Sequence, residues 1–148
     1  MQSGNVCQMV LIAFRSMDFK YNIIYIIMDS LLLDFLNQCG IHCPDINVLD
    51  ANYRISREIL VNHTNNNYQT IVKKFVPIFK KYMSSSQCTA LHSSAESNQR
   101  WPLLNLVRQV LRFMNYQLKP IRLSAGYTPS GKKKYTRMFE INKLKAHS

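Results

Sequence analysis

The 148-residue sequence has few acidic residues: eight Asp and Glu stand against nineteen Lys and Arg, giving a formal net charge of +11. The imbalance lies at one end of the chain. Before residue 100 there are eight basic and seven acidic residues, whereas from Arg100 onward Glu140 is the only carboxylate beside eleven basic residues. A strongly basic surface attracts polyanions. The sequence therefore predicts a polyanionic partner for its last third.

Long hydrophobic runs are also missing. Of the two longest apolar stretches, 6–14 is short and 23–33 is interrupted by Asp29, whereas a membrane-spanning helix needs about 20 apolar residues. The first residues also lack the basic start and the small-residue cleavage site of a secretory signal. These absences predict an intracellular protein with no membrane partner. Met1, Met17 and Met28 are all candidate start residues.

Signatures of catalysis are absent as well. The four glycines are scattered, and neither the phosphate-binding GxxxxGK[ST] loop nor the metal-binding HExxH motif occurs. The basic third has no pair of carboxylates for acid–base chemistry. The sequence therefore argues against an enzyme, and we expect no catalytic residues and no cofactor.

The four cysteines are too few for a disulfide scaffold. Cys39 and Cys43, together with Cys88 and His92, supply four side chains of the types that bind zinc. Neither pair has the CxxC spacing of a zinc knuckle. The favoured interpretation is free thiols packed as small hydrophobic side chains, with no metal site, although the sequence leaves a zinc site open.

The first two thirds of the chain predict helices. Residues 18–39 are rich in Ile and Leu and indicate one long helix or two short ones, largely buried, with Gly40 as a stop. The β-branched cluster Ile23–Ile27 would also suit a strand. The stretch 43–52 is predicted to be a loop, and 56–61 a short helix. Lys73–Met83 predicts an amphipathic helix with Pro77 as a bend or a start.

The changes in composition divide the chain into three parts. Residues 1–53 form an apolar helical segment, and residues 54–99 form a helical segment that ends in a serine-rich linker at 84–98. Residues 100–148 form the basic unit. The apolar residues of the first segment exceed what a small domain needs, which leaves room for a homodimer.

The basic unit begins with a predicted helix at Pro102–Tyr116. Proline suits the first turn of a helix, and apolar residues then recur at helical spacing: Leu103, Leu106, Val107, Val110, Leu111 and Met114. The opposite face carries side chains of the types that read base edges and contact phosphates: Asn105, Arg108, Gln109 and Arg112.

A predicted β-hairpin follows the helix. Leu118–Ser124 and Tyr135–Ile141 alternate as strands do, and the turn residues Gly126–Lys134 separate them. Six basic side chains on the hairpin can neutralise phosphates: Lys119, Arg122, Lys132, Lys133, Lys134 and Arg137. The predicted fold class is α+β, mainly helical at the N-terminal side, with a C-terminal helix followed by a hairpin.

This order of elements resembles the last part of winged-helix domains, in which a recognition helix enters the major groove and the following hairpin, the wing, touches the flanking backbone. The matching parts are Pro102–Tyr116, the two predicted strands and the turn. The resemblance implies a nucleic-acid partner, double-stranded DNA in the first place. The earlier helices of such a fold would come from 56–63, 70–83 or 89–99.

The stretch from Arg100 to Ile141 is also similar to uncharacterised proteins of large double-stranded DNA viruses. That resemblance implies a viral setting, in the host nucleus, a cytoplasmic virus factory or the virion, and brings no activity with it. RNA stays open as a partner, because charge alone does not separate it from DNA. The second interpretation is a non-enzymatic viral structural or protein-interaction module, in which the basic surface meets an acidic protein.

Overall fold

The computed structural model describes residues 18–61, 68–94 and 100–144. In the described part of the chain, seven segments precede a C-terminal hairpin: α1 (Asp18–Gln38), α2 (Ile46–Asp50), β1 (Tyr53–Ser56), α3 (Arg57–Val61), α4 (Tyr68–Lys80), α5 (Ser85–Ser94) and α6 (Pro102–Phe113). The hairpin consists of β2 (Tyr116–Tyr127) and β3 (Lys133–Lys143). The mixture of helices with an antiparallel sheet confirms the predicted α+β class.

The first helix, α1, is a single long helix that ends at Gln38, and the predicted stop residue Gly40 follows it. This glycine has a φ of +94°. Its N–H donates to the carbonyl of Asn37 at 3.0 Å, and the N–H of Ile41 donates to the carbonyl of Leu36 at 2.8 Å. This pair of hydrogen bonds is the Schellman motif, which requires a left-handed residue at this position.

Replacing Gly40 with alanine should therefore destabilise the fold by about 1–2 kcal/mol, the cost of a left-handed L-residue. A Cβ atom at Gly40 would also lie 3.2 Å from Cγ2 of Ile59, whereas at Gly131, with φ +85°, nothing lies within 4 Å. Urea denaturation of Gly40→Ala measures the loss, with Gly131→Ala as the control for backbone strain alone. An unchanged midpoint for Gly40→Ala would contradict this account of the helix end.

The burial predicted for α1 is wrong for most of residues 23–27. Ile23, Tyr25, Ile26 and Ile27 are 47–65% exposed, whereas Leu32, Phe35 and Leu36 are fully buried. The reason is geometric: apolar residues surround the helix completely at 23–27, whereas the side chains of this helix that enter the described core are Leu32, Phe35 and Leu36. Apolar composition therefore overstated how much of this segment is buried.

The stretch between α1 and α4 contains structure that the sequence did not indicate. The predicted loop at 43–52 includes the short helix α2, whose N-cap Asp45 accepts a hydrogen bond from the N–H of Val48 at 3.0 Å. The strand β1 follows and pairs antiparallel with β3, with Ile55 opposite Phe139. The short helix predicted at 56–61 is confirmed as α3.

The serine-rich segment 84–98 is not simply a linker, because residues 85–94 form the helix α5. Ser84 and Gln87 form a capping box: the N–H of Gln87 donates to Oγ of Ser84, and the N–H of Ser84 donates to Oε1 of Gln87. Leu91 is buried and anchors the helix. Helix α4 confirms the amphipathic helix with shifted bounds: it begins five residues before Lys73 and ends at Lys80, so that Pro77 lies inside it and is not its start.

The C-terminal helix and hairpin are confirmed with shifted bounds. Helix α6 ends at Phe113 instead of Tyr116, because Asn115 has a φ of +72° and breaks the helix. The strands are longer than predicted, and β2 and β3 pair antiparallel along most of their length. The sheet order is β1-β3-β2. Strand β2 therefore lies at an edge of the sheet. Proline has no N–H to donate to a neighbouring strand, and an edge strand tolerates this loss at Pro120.

A single hydrophobic core joins all these elements. Helix α6 buries six side chains in it, and Phe35 of α1 contacts Phe75 and Phe79 of α4 edge-on, with ring centroids 5.4 and 5.5 Å apart. The base of the hairpin adds Leu118, Phe139 and Ile141. The core thus fixes α6 and the hairpin base relative to the rest of the described chain. The division into three segments stays a prediction.

None of the described helices combines the length and the apolar character that a membrane span requires.

Candidate nucleic-acid interface

The polar face of α6 is only partly accessible. Arg112 is exposed, whereas Asn105, Arg108 and Gln109 are half-buried. Gln109 and Arg112 line a groove of about 270 Å³ against α5. Arg108 and Arg112 line a second groove of about 340 Å³ against the start of β2. The predicted helix residues therefore lie on one face, but neighbouring elements flank that face on both sides.

The hairpin extends beyond the core. The face that packs on the core at the base of the hairpin carries arginines farther out. Pro120 lies opposite Phe139 at the edge of the core, and the next pair outward on the same face is Arg122 opposite Arg137. Like charges directly opposite each other in a sheet are unfavourable. The guanidinium carbon of Arg122 also lies 5.2 Å from the ring centroid of Tyr135. This pair of arginines is a concentrated positive charge on one face.

A β-bulge near the tip adds a second aromatic side chain to this face. Ser124 lies opposite Tyr135, but Tyr127 lies opposite Lys133, so that β2 has one extra residue between these pairs. Gly126, with a φ of +87°, supplies the backbone conformation. Because of the bulge, Tyr127 shares a face with Tyr135, and the two side chains are 68% and 48% exposed.

We call this surface the basic face of the hairpin. It consists of Arg122, Tyr127, Lys133, Tyr135 and Arg137, all exposed. Cations and aromatic rings thus alternate along one side of a strand pair. The sequence prediction found its charged members but not the alignment of the two tyrosines.

The tip of the hairpin is an ordered turn. The N–H of Thr128 donates to the carbonyl of Lys132 at 2.8 Å, and the N–H of Gly131 donates to the carbonyl of Thr128 at 2.9 Å. The hydroxyl of Thr128 accepts from the N–H of Lys132 at 3.1 Å. These bonds hold the turn in place and leave the side chains of Lys132, Lys133 and Lys134 exposed.

Lys119 lies on the opposite face of the sheet. It is paired in register with Glu140, which accepts hydrogen bonds from Nε of Arg54 at 3.1 Å and from Nδ2 of Asn142 at 2.8 Å. The bonds from Asn142 and Arg54 lower the pKa of Glu140 below its ordinary value. Lys119 therefore stands beside a carboxylate that stays charged, and it is separated from Arg122 and Arg137.

A pocket next to the hairpin brings in an arginine that the sequence analysis did not select. Arg57, the first residue of α3, lines a cavity of about 330 Å³ together with Arg122 and Arg137. We call these three residues the arginine pocket. The guanidinium carbon of Arg57 lies 5.2 Å from the ring centroid of Trp101, and that of Arg100 lies 4.6 Å from it. Only the pairing of β1 with β3 brings Arg57 here.

The candidate zinc ligands do not form a site in the described part of the chain, where no group of three or more His, Cys, Asp or Glu side chains is close enough to hold a metal ion. Cys39, Cys43 and Cys88 are free thiols. Cys39 lies in the core, and burial raises the pKa of its thiol. The thiols of Cys43 and Cys88 lie within hydrogen-bond distance of backbone carbonyls.

Comparisons with protein-family models, with curated proteins and with solved structures give no match to this chain. The functional interpretation therefore depends on the residues and their geometry.

Proposed function

We propose that this protein binds nucleic acid, double-stranded DNA in the first place, through the hairpin and the accessible edge of α6. The observation that carries the proposal is the basic face of the hairpin. Two arginines lie directly opposite each other, and an ordered turn presents three lysines beside them. A surface of this kind is stabilised when the phosphates of a nucleic acid neutralise it and counterions are released.

The aromatic side chains of this face also support the proposal. Exposed tyrosines next to cations are typical of surfaces that bind single-stranded nucleic acid, because a base can stack on a ring while the cations contact the backbone. They therefore support a nucleic-acid partner without distinguishing a duplex from a single strand. Tyr127 and Tyr135 are both exposed on the face that holds Arg122 and Arg137.

The order of the elements favours a winged-helix arrangement. A helix leads directly into a long hairpin, and a short earlier strand completes a three-stranded sheet in the order β1-β3-β2. In that arrangement α6 would be the recognition helix. Its half-buried Asn105, Arg108 and Gln109 have limited access to base edges, so we expect phosphate contacts to dominate and sequence selectivity to be low.

The proposal predicts a specific effect of Lys133→Ala/Lys134→Ala. Removing two phosphate contacts should weaken all sequences alike and make the slope of log K against log salt less negative by about two. Fluorescence anisotropy of a labelled duplex at several salt concentrations measures the slope. The matched control is Lys73→Ala/Lys81→Ala, which removes the same charge from exposed positions on and beside α4. A slope that stays the same in the hairpin variant would show that the tip does not contact phosphates.

The exposed apolar residues at 23–27 of α1 favour a second candidate function, a non-enzymatic protein-interaction module. Ile23, Ile26 and Ile27 lie at helical spacing on one face and are 47–65% exposed. Since every copy carries the same face, a second copy of this chain is the partner that this observation supports. Weak binding that is indifferent to the type of nucleic acid would favour this candidate over the first.

A further inference from the structure

Three arginines from two distant parts of the chain line the arginine pocket. Arg122 and Arg137 are contributed by β2 and β3, and Arg57 lies at the start of α3, directly after Ser56, which pairs with Met138 of β3. The three side chains line one open cavity of about 330 Å³. The fold therefore builds a concave site in which three arginines stand beside Pro120, Ile121 and Met138, whereas the lysines of the tip are exposed outside it.

No carboxylate of the described residues neutralises this pocket. The ion pairs in the described part of the chain are Arg54 with Glu140 and Lys143 with Asp50. Neither pair includes Arg57, Arg122 or Arg137. Since like charges that lie opposite each other in a sheet are unfavourable, the pocket is completed electrostatically when an anion binds.

Aromatic rings orient two of the three guanidinium groups. Arg57 lies over Trp101, and Arg122 lies over Tyr135, each at 5.2 Å from the ring centroid. A guanidinium over a ring keeps its N–H groups at its edge, and these form the planar fork that binds two oxygens of one phosphate. The rings thus limit the conformations of these arginines before a ligand arrives.

We propose that the arginine pocket binds a phosphate group of a nucleic-acid strand that runs along the hairpin. The pocket itself is argued from geometry, and the identification of the phosphate as a strand phosphate rests on the proposed function. Along β3, Arg137 and Lys133 lie on one face and four residues apart, which is about 13 Å at the rise of a strand. A row of cations over this distance fits the repeating phosphates of a nucleic-acid strand better than it fits a single small anion.

The first arm of the test compares Arg57→Ala with Arg54→Ala by duplex anisotropy over a range of salt. Arg54 is the matched control, because it is an exposed arginine of β1 that pairs with Glu140 on the opposite face of the sheet. We expect Arg57→Ala to lower the affinity about tenfold and to make the salt slope less negative by about one, as the loss of one phosphate contact does. The Arg54 variant should retain the wild-type slope.

The second arm uses inorganic phosphate with the full chain and no nucleic acid. Thermal unfolding is followed as phosphate replaces chloride at constant ionic strength. A saturable rise of the midpoint in the wild type and in Arg54→Ala, but not in Arg57→Ala, supports a phosphate site. An equal response of all three proteins would overturn it. Circular dichroism of the variants confirms that each is folded.

The two arms separate failure of this inference from failure of the proposed function. If the wild type binds the duplex steeply with salt and the Arg57 and Arg54 variants behave alike, the pocket is not a phosphate site, although nucleic-acid binding stands. If no nucleic acid binds but phosphate stabilises the wild type through Arg57, the site stands with free phosphate as its ligand, and the strand is excluded. Polyglutamate is the probe for an acidic protein partner. If it displaces the duplex from the wild type but not from Arg57→Ala, and the two proteins have the same salt slope, the pocket binds an acidic protein and the proposal is overturned.

Discussion

Raising the salt concentration from 50 to 200 mM is expected to weaken binding of a DNA duplex to this protein about 10³-fold. The estimate follows from about six phosphate contacts, each of which releases a counterion and contributes about −0.9 to the slope of log K against log salt. Five such cations come from the hairpin: Arg122, Lys132, Lys133, Lys134 and Arg137. Arg112, the exposed basic residue of α6, is the sixth, and the half-buried Arg57 of the proposed phosphate pocket would be a seventh.

The position of a basic residue in the structure, and not the number of basic residues, determines which cations contact phosphates. Lys119 is left out because it stands beside the carboxylate of Glu140 near the base of the hairpin, whereas the three lysines of the tip are exposed. The measurement is a series of anisotropy titrations at four or more salt concentrations. A decrease in affinity of less than about tenfold over this range corresponds to one or two contacts. That result would mean that the basic face does not lie along a phosphate backbone.

Phe35→Ala should reduce the free energy of unfolding by about 3–5 kcal/mol. Phe35 is fully buried and contacts Phe75 and Phe79 edge-on, with interplanar angles of 77° and 87°. Deleting its ring removes these contacts and leaves a cavity between α1 and α4. Since domains of this size are stable by about 5–15 kcal/mol in total, the variant should lose a large part of its stability.

Urea denaturation with a tryptophan signal from Trp101 measures this loss. Phe35→Leu keeps most of the buried volume and should lose much less, which leaves a measurable variant if Phe35→Ala does not fold. Ile26→Ala is the control on the same helix, because Ile26 is 65% exposed, and surface substitutions change stability by only about 0.5 kcal/mol. Equal losses at positions 35 and 26 would contradict the packing of α1 described here.

The sequence predicts the C-terminal helix and hairpin well, because both are determined by local patterns. The apolar side chains of α6 recur with a period that only a helix satisfies, and Pro102 marks its start. The alternation in the strands and the turn residues between them define the hairpin in the same way. These local signals place Arg122, Arg137 and the three tip lysines on one protruding element without any knowledge of the fold.

The parts that sequence reasoning missed depend on contacts between distant residues or on a single backbone irregularity. In the sequence, nothing distinguishes Arg57 from other basic residues. The pairing of β1 with β3 places it beside the same cavity as Arg137. Tyr127 joins the face of Tyr135 only because one extra residue bulges from β2. The alternation of side chains along a strand does not show where a bulge changes the register, although a glycine such as Gly126 is a signal for one.

Two other errors had signals in the sequence. Ser84 and Gln87 have the spacing of a capping box and mark the start of α5 within the serine-rich segment. The apolar residues at 23–27 surround α1 on all sides, which one packed face cannot bury. Composition suggested a linker at 84–98 and a buried helix at 18–39. The spacing of particular residues was the better guide: Ser84 and Gln87 at the start of α5, and the apolar residues around the axis of α1.

The most direct test of nucleic-acid binding is one set of anisotropy titrations of the full chain. It compares labelled duplex DNA, single-stranded DNA and double-stranded RNA at several salt concentrations, with Arg108→Ala/Arg112→Ala alongside. The account predicts that the duplex binds most tightly with a salt slope of about −5, and that the α6 variant binds it more weakly. Weak binding that does not distinguish the three nucleic acids and does not change in the variant would contradict the account.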